Sequence, residues 1–270
     1  MLRQRVITAL ILAIVGLSAL FLLPAPVFAV IAALLLAGAG GWEAARLAGL
    51  DAGAQRITLA LVLVGVCLAL LLWLPPAAAY WALLPACTIW LFNMVWLTRP
   101  GLGRDARSAG IAGKLAVFVI ILPGAWLALA WLQLTSPWLV VMLLILIAAA
   151  DTCAYFTGRH FGGPKLAPRI SPGKTLSGAA GGLIGAMVLT AGSAAALPDS
   201  PFTPLTGALL GLGLGMISIA GDLFISLLKR QRALKDTSAL LPGHGGILDR
   251  FDSLVAALPF FALAVALWGQ

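Results

Sequence analysis

Apolar residues in this chain come in long unbroken runs, without the alternation or one-faced periodicity of a soluble fold. Runs of about 18 residues, the length a helix needs to cross a ~30 Å hydrocarbon core, recur from end to end between Gly, Pro and charged residues. They predict nine spans, at about 6–23, 26–42, 57–74, 77–97, 115–132, 138–156, 177–197, 205–223 and 252–268. A transmembrane barrel would need ~10-residue alternating segments, and Leu139 to Ala150 does not alternate. The expected fold class is all-α, a polytopic membrane protein with about nine transmembrane helices. The first span, with Arg3 and Arg5 before it and Val27-Phe28-Ala29 after it, has the outline of a signal peptide. Its apolar core is too long for one, and cleavage after Ala29 would leave too few apolar residues before Trp42-Glu43 to cross, so it reads as a span.

Composition agrees, since 62% hydrophobic against 10% charged residues excludes a soluble domain. Charge placement adds a topology. With a cytoplasmic N-terminus, all 17 Lys and Arg fall on one side. Arg3 and Arg5 precede span one; Arg46 and Arg56 follow span two; Arg99, Arg104, Arg107 and Lys114 follow span four. Arg159, Lys165, Arg169 and Lys174 follow span six, and Lys229, Arg230, Arg232, Lys235 and Arg250 follow span eight. The opposite connectors, around Pro24, Pro75-Pro76, Ser136-Pro137 and Pro198 to Pro204, carry none. By the positive-inside rule the basic connectors are cytoplasmic and Gln270 lies outside. The +8 charge forms no continuous basic face, so no nucleic-acid partner is expected. Cys67, Cys87 and Cys153 sit in apolar runs without C-x-x-C spacing and read as free thiols.

Four spans fall in residues 1–114 and five in 115–270. The second part is the expected catalytic region, because its cytoplasmic loops, 157–176 and 223–252, are the long ones that mix acids, bases and glycines. The earlier connector from Arg99 to Lys114 is nearly all basic and reads as a contact with anionic lipid. In the first loop, Asp151 lies within an apolar run, where an ionised carboxylate needs a cation, a proton or a water-filled cavity. Beyond it Gly, Pro, Ser and Thr interleave with Arg159, Lys165, Arg169 and Lys174. Ser171-Pro-Gly-Lys174-Thr175 opens span seven, where hydroxyls, an ammonium and a helix N-terminus converge on phosphate. It is not a Walker A loop, since Pro168 stands where that loop needs its first glycine.

The second loop is more specific. Asp222, Ser226 and Lys229 share one helix face at i, i+4 and i+7 and are expected to project into one cavity. Another helix begins near Asp249, with Asp252 one turn on. Two carboxylate-bearing helix ends joined by the glycine-rich Pro242-Gly243-His244-Gly245-Gly246 turn suit a Mg²⁺ site that leaves positions open for phosphate oxygens.

The run Ser226-x-x-Lys229-Arg230-x4-Lys235-Asp236-x-Ser238-x2-Leu241-Pro242-x-His244-Gly245-Gly246-Ile247-x-Asp249-Arg250-Phe251-Asp252 resembles the signature of the phosphatidate cytidylyltransferases, or CDP-diacylglycerol synthases. The resemblance extends through Asp151-Thr-x-Ala-Tyr-Phe-x-Gly-Arg and Lys165-Leu-Ala-Pro-x-Ile-Ser-Pro-x-Lys174-Thr, covering roughly residues 150 to 260. Two positions depart from it: Ile225 stands where an acid is common, and Ser177 where Glu or Gln is common. The resemblance implies transfer of a cytidylyl group from CTP to phosphatidate, giving CDP-diacylglycerol and pyrophosphate for phospholipid synthesis. It implies Mg²⁺ on Asp222 and Asp249, with a second, monovalent cation left open, and a homodimer in the bacterial inner (plasma) membrane with a cytoplasmic active site. Asp222, Asp249, Lys229 and Asp151 are the expected catalytic residues, Asp151 orienting a cation. Ser171, Lys174, Thr175, Lys165, Ser226, Arg230, Lys235, Asp236, Arg250 and Asp252 are expected at the substrates, with His244, Gly245 and Gly246 forming the tight turn under the phosphates. Alcohol phosphotransferases that consume CDP-diacylglycerol need D-x-x-D-G-x-x-A-R, and Asp252 is followed here by Ser253. The non-enzymatic alternative, a transporter for an anionic substrate, would favour ionisable residues at mid-membrane, whereas these gather near one interface.

Overall fold

The computed structural model describes residues 2–75, 78–104, 108–196, 202–241, 243 and 245–268. Its helices, in chain order, are α1 (Leu2–Leu22), α2 (Ala25–Ala32), α3 (Gly40–Ala48), α4 (Gly53–Trp73), α5 (Leu84–Leu97), α6 (Ser108–Thr135), α7 (Pro137–Phe161), α8 (Leu176–Ala196), α9 (Pro204–Gln231) and α10 (Leu248–Trp268). A π-helical stretch, Ala33–Ala39, joins α2 to α3, so these form one span, Ala25–Ala48. Among the described residues seven helices are long and apolar enough to cross a membrane. Two shorter apolar helices, Leu10–Leu22 and Trp81–Leu97, take the first and fourth positions of the expected order of nine.

Local chemistry sets the helix ends. Thr203 caps α9 by accepting from Thr206 N at 3.2 Å, and Pro204 follows at the first helical position, where its missing N–H costs nothing. The α3 helix stops at Gly49, whose φ of 119° few other residues tolerate. Beyond its apolar run α7 continues to Phe161, with Arg159 and His160 in the last turn complementing the helix dipole. Likewise α9 runs on to Gln231.

The all-α fold carries one addition. Pro164, Pro168 and Pro172 prevent a helix in the loop after α7, and the loop forms an antiparallel hairpin of β1 (Lys165–Ala167) and β2 (Ser171–Thr175). Ser171 to Lys174 therefore do not open a helix, as the sequence reading has them doing. They form a strand, and α8 begins at Leu176.

The bundle is integral to a membrane, with apolar side chains such as Ile14, Leu61, Trp73, Ile184 and Val188 on its outside. About 72% of the apolar stretch of α10 is buried against 11% of that of α4, which puts α10 at the centre. It packs on α5, α6 and α9. Phe224 of α9 meets the rings of Trp90, Trp96 and Phe118 at 5.8, 5.6 and 6.5 Å, which leaves Asp222, two residues earlier, on the other side of the helix. Gly221 lets α9 and α10 cross closely, since a Cβ there would lie 2.5 Å from the Asp252 carbonyl oxygen.

The connectors after α3, α5, α7 and α9 converge on one end. Arg46 Nη1 donates to Thr237 O at 2.9 Å, Gln231 Nε2 to Leu102 O at 2.9 Å and Arg230 Nε to Ile170 O at 3.3 Å. Arg232 pairs with Asp51 at 2.5 Å and holds that carboxyl below its ordinary range. These are connectors that hold the basic residues of the sequence, so its charge bias marks one end of the folded bundle.

Candidate active site

Two lysine–aspartate pairs organise this end. Lys174 on β2 is in ionic contact with Asp222 of α9. Lys229, two turns further along α9, donates to Asp249 Oδ1 in the first turn of α10 at 2.6 Å. Helix spacing alone aims Asp222, Ser226 and Lys229 into one cavity. Ser226 does lie beside Asp222, its Oγ 3.5 Å from Oδ1, but Lys229 is taken up by Asp249. Asp252, buried in α10, is within electrostatic and hydrogen-bonding reach of Asp222, as the close crossing at Gly221 requires. Asp151 on α7 is within electrostatic reach of both Lys174 and Asp222.

The β-hairpin carries Lys174 across to α9. It is anchored by Thr175, whose buried Oγ1 accepts from Gly178 N at 3.1 Å and so caps α8. Ser177 Oγ lies 3.1 Å from Thr175 Oγ1 and also donates to Gly162 O, tying the start of α8 to the end of α7. A polar residue at position 177 thus holds the hairpin. Ile225, by contrast, is buried in the apolar core.

Between α7, α8, α9 and the hairpin lies a cavity of about 490 Å³. Asp151, Arg159, Lys165, Lys174 and Thr175 supply its polar wall, and Ala150, Ala154, Leu166 and Ile219 an apolar one. Arg159 Nη1 donates to Tyr155 Oη at 2.8 Å within it. Arg230 lies elsewhere, with Arg104, Arg169 and Gln231 around a smaller cavity of about 200 Å³. Ser171 stands opposite Ala167 in the hairpin. Lys235 and Asp236 are exposed in the α9–α10 loop, and Arg250 is exposed on the first turn of α10. His244 lies outside the described residues.

Asp249 is held from several directions. Besides Lys229 on Oδ1, its Oδ2 accepts from Thr237 N at 2.7 Å and Gly246 N at 2.9 Å, and Thr237 Oγ1 lies 2.8 Å away. Gly245, at φ 83°, turns the chain into this position and pairs with Leu241 through its carbonyl at 2.8 Å. The same loop contacts a residue that the sequence reading used only to bound a span. Glu43 of α3 is fully buried, and its carboxylate accepts from Thr237 Oγ1 at 2.8 Å, Ser238 Oγ at 2.5 Å, Ile247 N at 2.9 Å and Leu248 N at 2.8 Å. An acid directly after an apolar run was the available signal. Its partners lie about two hundred residues away in sequence, and no local pattern identifies them.

Asp222, with Ser226 and Asp252 beside it, and Asp249 offer hard oxygen donors, and each of the two faces a cation already. That chemistry fits Mg²⁺, which typically binds through one or two carboxylates and completes its shell with water and substrate phosphate. Among the described residues no three His, Cys, Asp or Glu side chains are grouped as a complete metal cage. Cys67, Cys87 and Cys153 are free.

Comparison with known proteins matches residues 3–268 to the model of the cytidylyltransferase family. The phosphatidate cytidylyltransferase of Pseudomonas aeruginosa is 40% identical over 280 residues, covering 100% of this chain and 99% of its own length. That of Haemophilus influenzae is 46% identical over 129 residues, 46% of this chain and 44% of its own. That of Bacillus subtilis is 44% identical over 125 residues, 46% of each chain.

Proposed function

Because this chain belongs to the cytidylyltransferase family from end to end, we propose that the cavity between α7, α8 and α9 is where it carries out the reaction named for its full-length relative. It is a membrane-bound nucleotidyltransferase that makes CDP-diacylglycerol from CTP and phosphatidate. An oxygen of the lipid phosphate attacks the α-phosphorus of CTP in line. The bond from that phosphorus to the oxygen bridging to the β-phosphate breaks, and pyrophosphate leaves with its electron pair. The attacking phosphate is already an anion, so no general base is required.

In this reading Lys174, Lys165 and Arg159 neutralise phosphate oxygens in the cavity while its apolar wall faces the glycerolipid. Asp151 steers the Lys174 ammonium. Asp222 and Asp249 would hold Mg²⁺, which when bound would stabilise charge on the triphosphate and the departing pyrophosphate. Lys229 and Lys174 stand beside those carboxylates and remain as counter-charges for phosphate. Arg230, with Arg104 and Arg169, adds positive charge around the smaller cavity. The site faces the cytoplasm, where CTP is, in keeping with the one-sided basic charge. A homodimer belongs to the same reading.

The observation that carries it is that Lys174, which lines a cavity with an apolar opposite wall, is also in ionic contact with Asp222, so that cationic, carboxylate and apolar surfaces meet as a nucleotide and a lipid together require. The full-length match to an enzyme family leaves the transporter alternative without support. The test is CTP-dependent pyrophosphate release with phosphatidate in detergent, with and without EDTA. Release that EDTA stops and Mg²⁺ restores is expected; release unaffected by EDTA would remove the metal from the account. Reporter fusions at Arg104 and in the connector between α8 and α9 should read opposite sides of the membrane.

A further inference from the structure

Resting on the reading of Asp249 as a metal ligand, we propose that Glu43 is a positioning residue for the active site, setting the carboxylate of Asp249 through Thr237. The geometry is specific. Each Glu43 oxygen serves two donors: Oε1 takes Ser238 Oγ and Ile247 N, and Oε2 takes Thr237 Oγ1 and Leu248 N. Two of these donors are backbone N–H groups entering α10, so the carboxylate is a helix cap supplied by a distant segment. Thr237 hangs between the two acids. Its N–H donates to Asp249 Oδ2 at 2.7 Å, and its hydroxyl lies 2.8 Å from both Glu43 Oε2 and Asp249 Oδ2 with a single proton to give. Arg46, one turn after Glu43, fixes the same residue from the other side through Thr237 O.

The loop is cut to fit this acid. A Cβ on Gly246 would lie 2.0 Å from Thr237 Oγ1 and 2.4 Å from Glu43 Oε1, so the space a side chain would take is filled by the network itself. A fully buried carboxylate with four donors is more than α3 needs to pack on its neighbours. Its donors belong to the α9–α10 loop and the start of α10, the segments that aim Asp249. Glutamine cannot replace it, because its amide NH₂ would face a backbone N–H of Ile247 or Leu248. Aspartate keeps the charge but falls short by one methylene.

The test uses the full chain in detergent, with Mn²⁺ alone as the probe, its binding followed by electron paramagnetic resonance without substrates. Supporting groups of this kind change metal affinity by roughly 10–100-fold. Glu43→Gln and Thr237→Val are each expected to weaken Mn²⁺ binding in that range. They should also lower kcat at saturating Mg²⁺, with the KM for CTP changed less. Thr237→Ser, which keeps the hydroxyl, should retain Mn²⁺ binding. Size-exclusion profiles establish which variants fold. Where Glu43→Gln does not fold, Thr237→Val decides alone, and wild-type Mn²⁺ affinity in that variant overturns the proposal. Loss of binding in Asp249→Asn with Glu43→Gln and Thr237→Val unchanged would overturn the role of Glu43 and leave the metal reading standing. Wild-type Mn²⁺ binding in Asp249→Asn would overturn both.

Discussion

The two aspartates at the centre of the account are held in opposite ways. Asp222 meets Lys174, with about 28% of its side chain and 33% of that of the lysine open to solvent, and the Ser226 hydroxyl lies 3.5 Å from its Oδ1. Asp249 is 7% exposed and receives an ammonium, two backbone N–H groups and a shared hydroxyl. A carboxylate fixed by that many donors has little freedom to reorient, whereas one that faces a partly exposed lysine and a hydroxyl at 3.5 Å can exchange the lysine for another cation. In the proposed reading the contrast makes Asp249 the preset half of the site and Asp222, with partly exposed Lys174, the half that adjusts when substrate arrives.

The largest effects should come from neutralising either acid, which breaks the symmetry of the pair in a measurable way. Asp222→Asn and Asp249→Asn should each lower turnover on the order of 100-fold or more, since both remove charge from the proposed metal site. Stability should separate them. Asp249→Asn breaks a buried pair and should destabilise by about 3 kcal/mol, whereas Asp222→Asn removes a partly exposed one and should cost about 1 kcal/mol or less. Thermal unfolding in detergent decides this, and equal losses would erase the distinction.

Next comes the lysine that is expected to move. Lys174→Ala should raise the KM for CTP about tenfold and that for phosphatidate less, because binding energy is lost on the nucleotide side. Steady-state kinetics varying each substrate separately check it, and an unchanged KM for CTP with unchanged kcat would leave Lys174 as an anchor of the hairpin. Smaller again is the effect of spacing. Gly221→Ala pushes a methyl against the Asp252 carbonyl and should cost roughly 1–3 kcal/mol, with partial loss of turnover as Asp222 is displaced.

The smallest effect belongs to the exposed pair at the same end. Arg232 depresses the Asp51 carboxyl, so its contribution to stability is present above the ordinary carboxylate range and is lost only as pH falls through the lowered value. Asp51→Asn should therefore shift the melting temperature by no more than about 2 °C near neutral pH. A larger shift would mean that the α3–α4 connector bears on the site more than one surface pair explains.

Much of this was legible in the sequence, and the limits have physical causes. Long apolar runs announce helices because a membrane permits little else, and the helix bearing Asp222, Ser226 and Lys229 and the start of α10 at Leu248 follow from spacing and glycine placement. The hairpin from Lys165 to Thr175 was not, since short strands separated by prolines carry no periodicity to read. Nor was the pairing of Lys174 with Asp222 and Lys229 with Asp249. A shared helix face put Asp222 and Lys229 together, but which ammonium meets which carboxylate depends on how α8, α9 and α10 pack. Glu43 was out of reach for the same reason: its role is written in contacts between segments far apart in the chain.

Whether this site moves a cytidylyl group onto a lipid is decided by the fate of the α-phosphorus of CTP. Purified protein given CTP labelled at the α-phosphorus, phosphatidate and Mg²⁺ should transfer label into the lipid phase as CDP-diacylglycerol, with one pyrophosphate released per lipid labelled and both reduced about 100-fold or more in Asp222→Asn. Pyrophosphate release without labelled lipid, or full labelling by Asp222→Asn, would contradict cytidylyl transfer at this site.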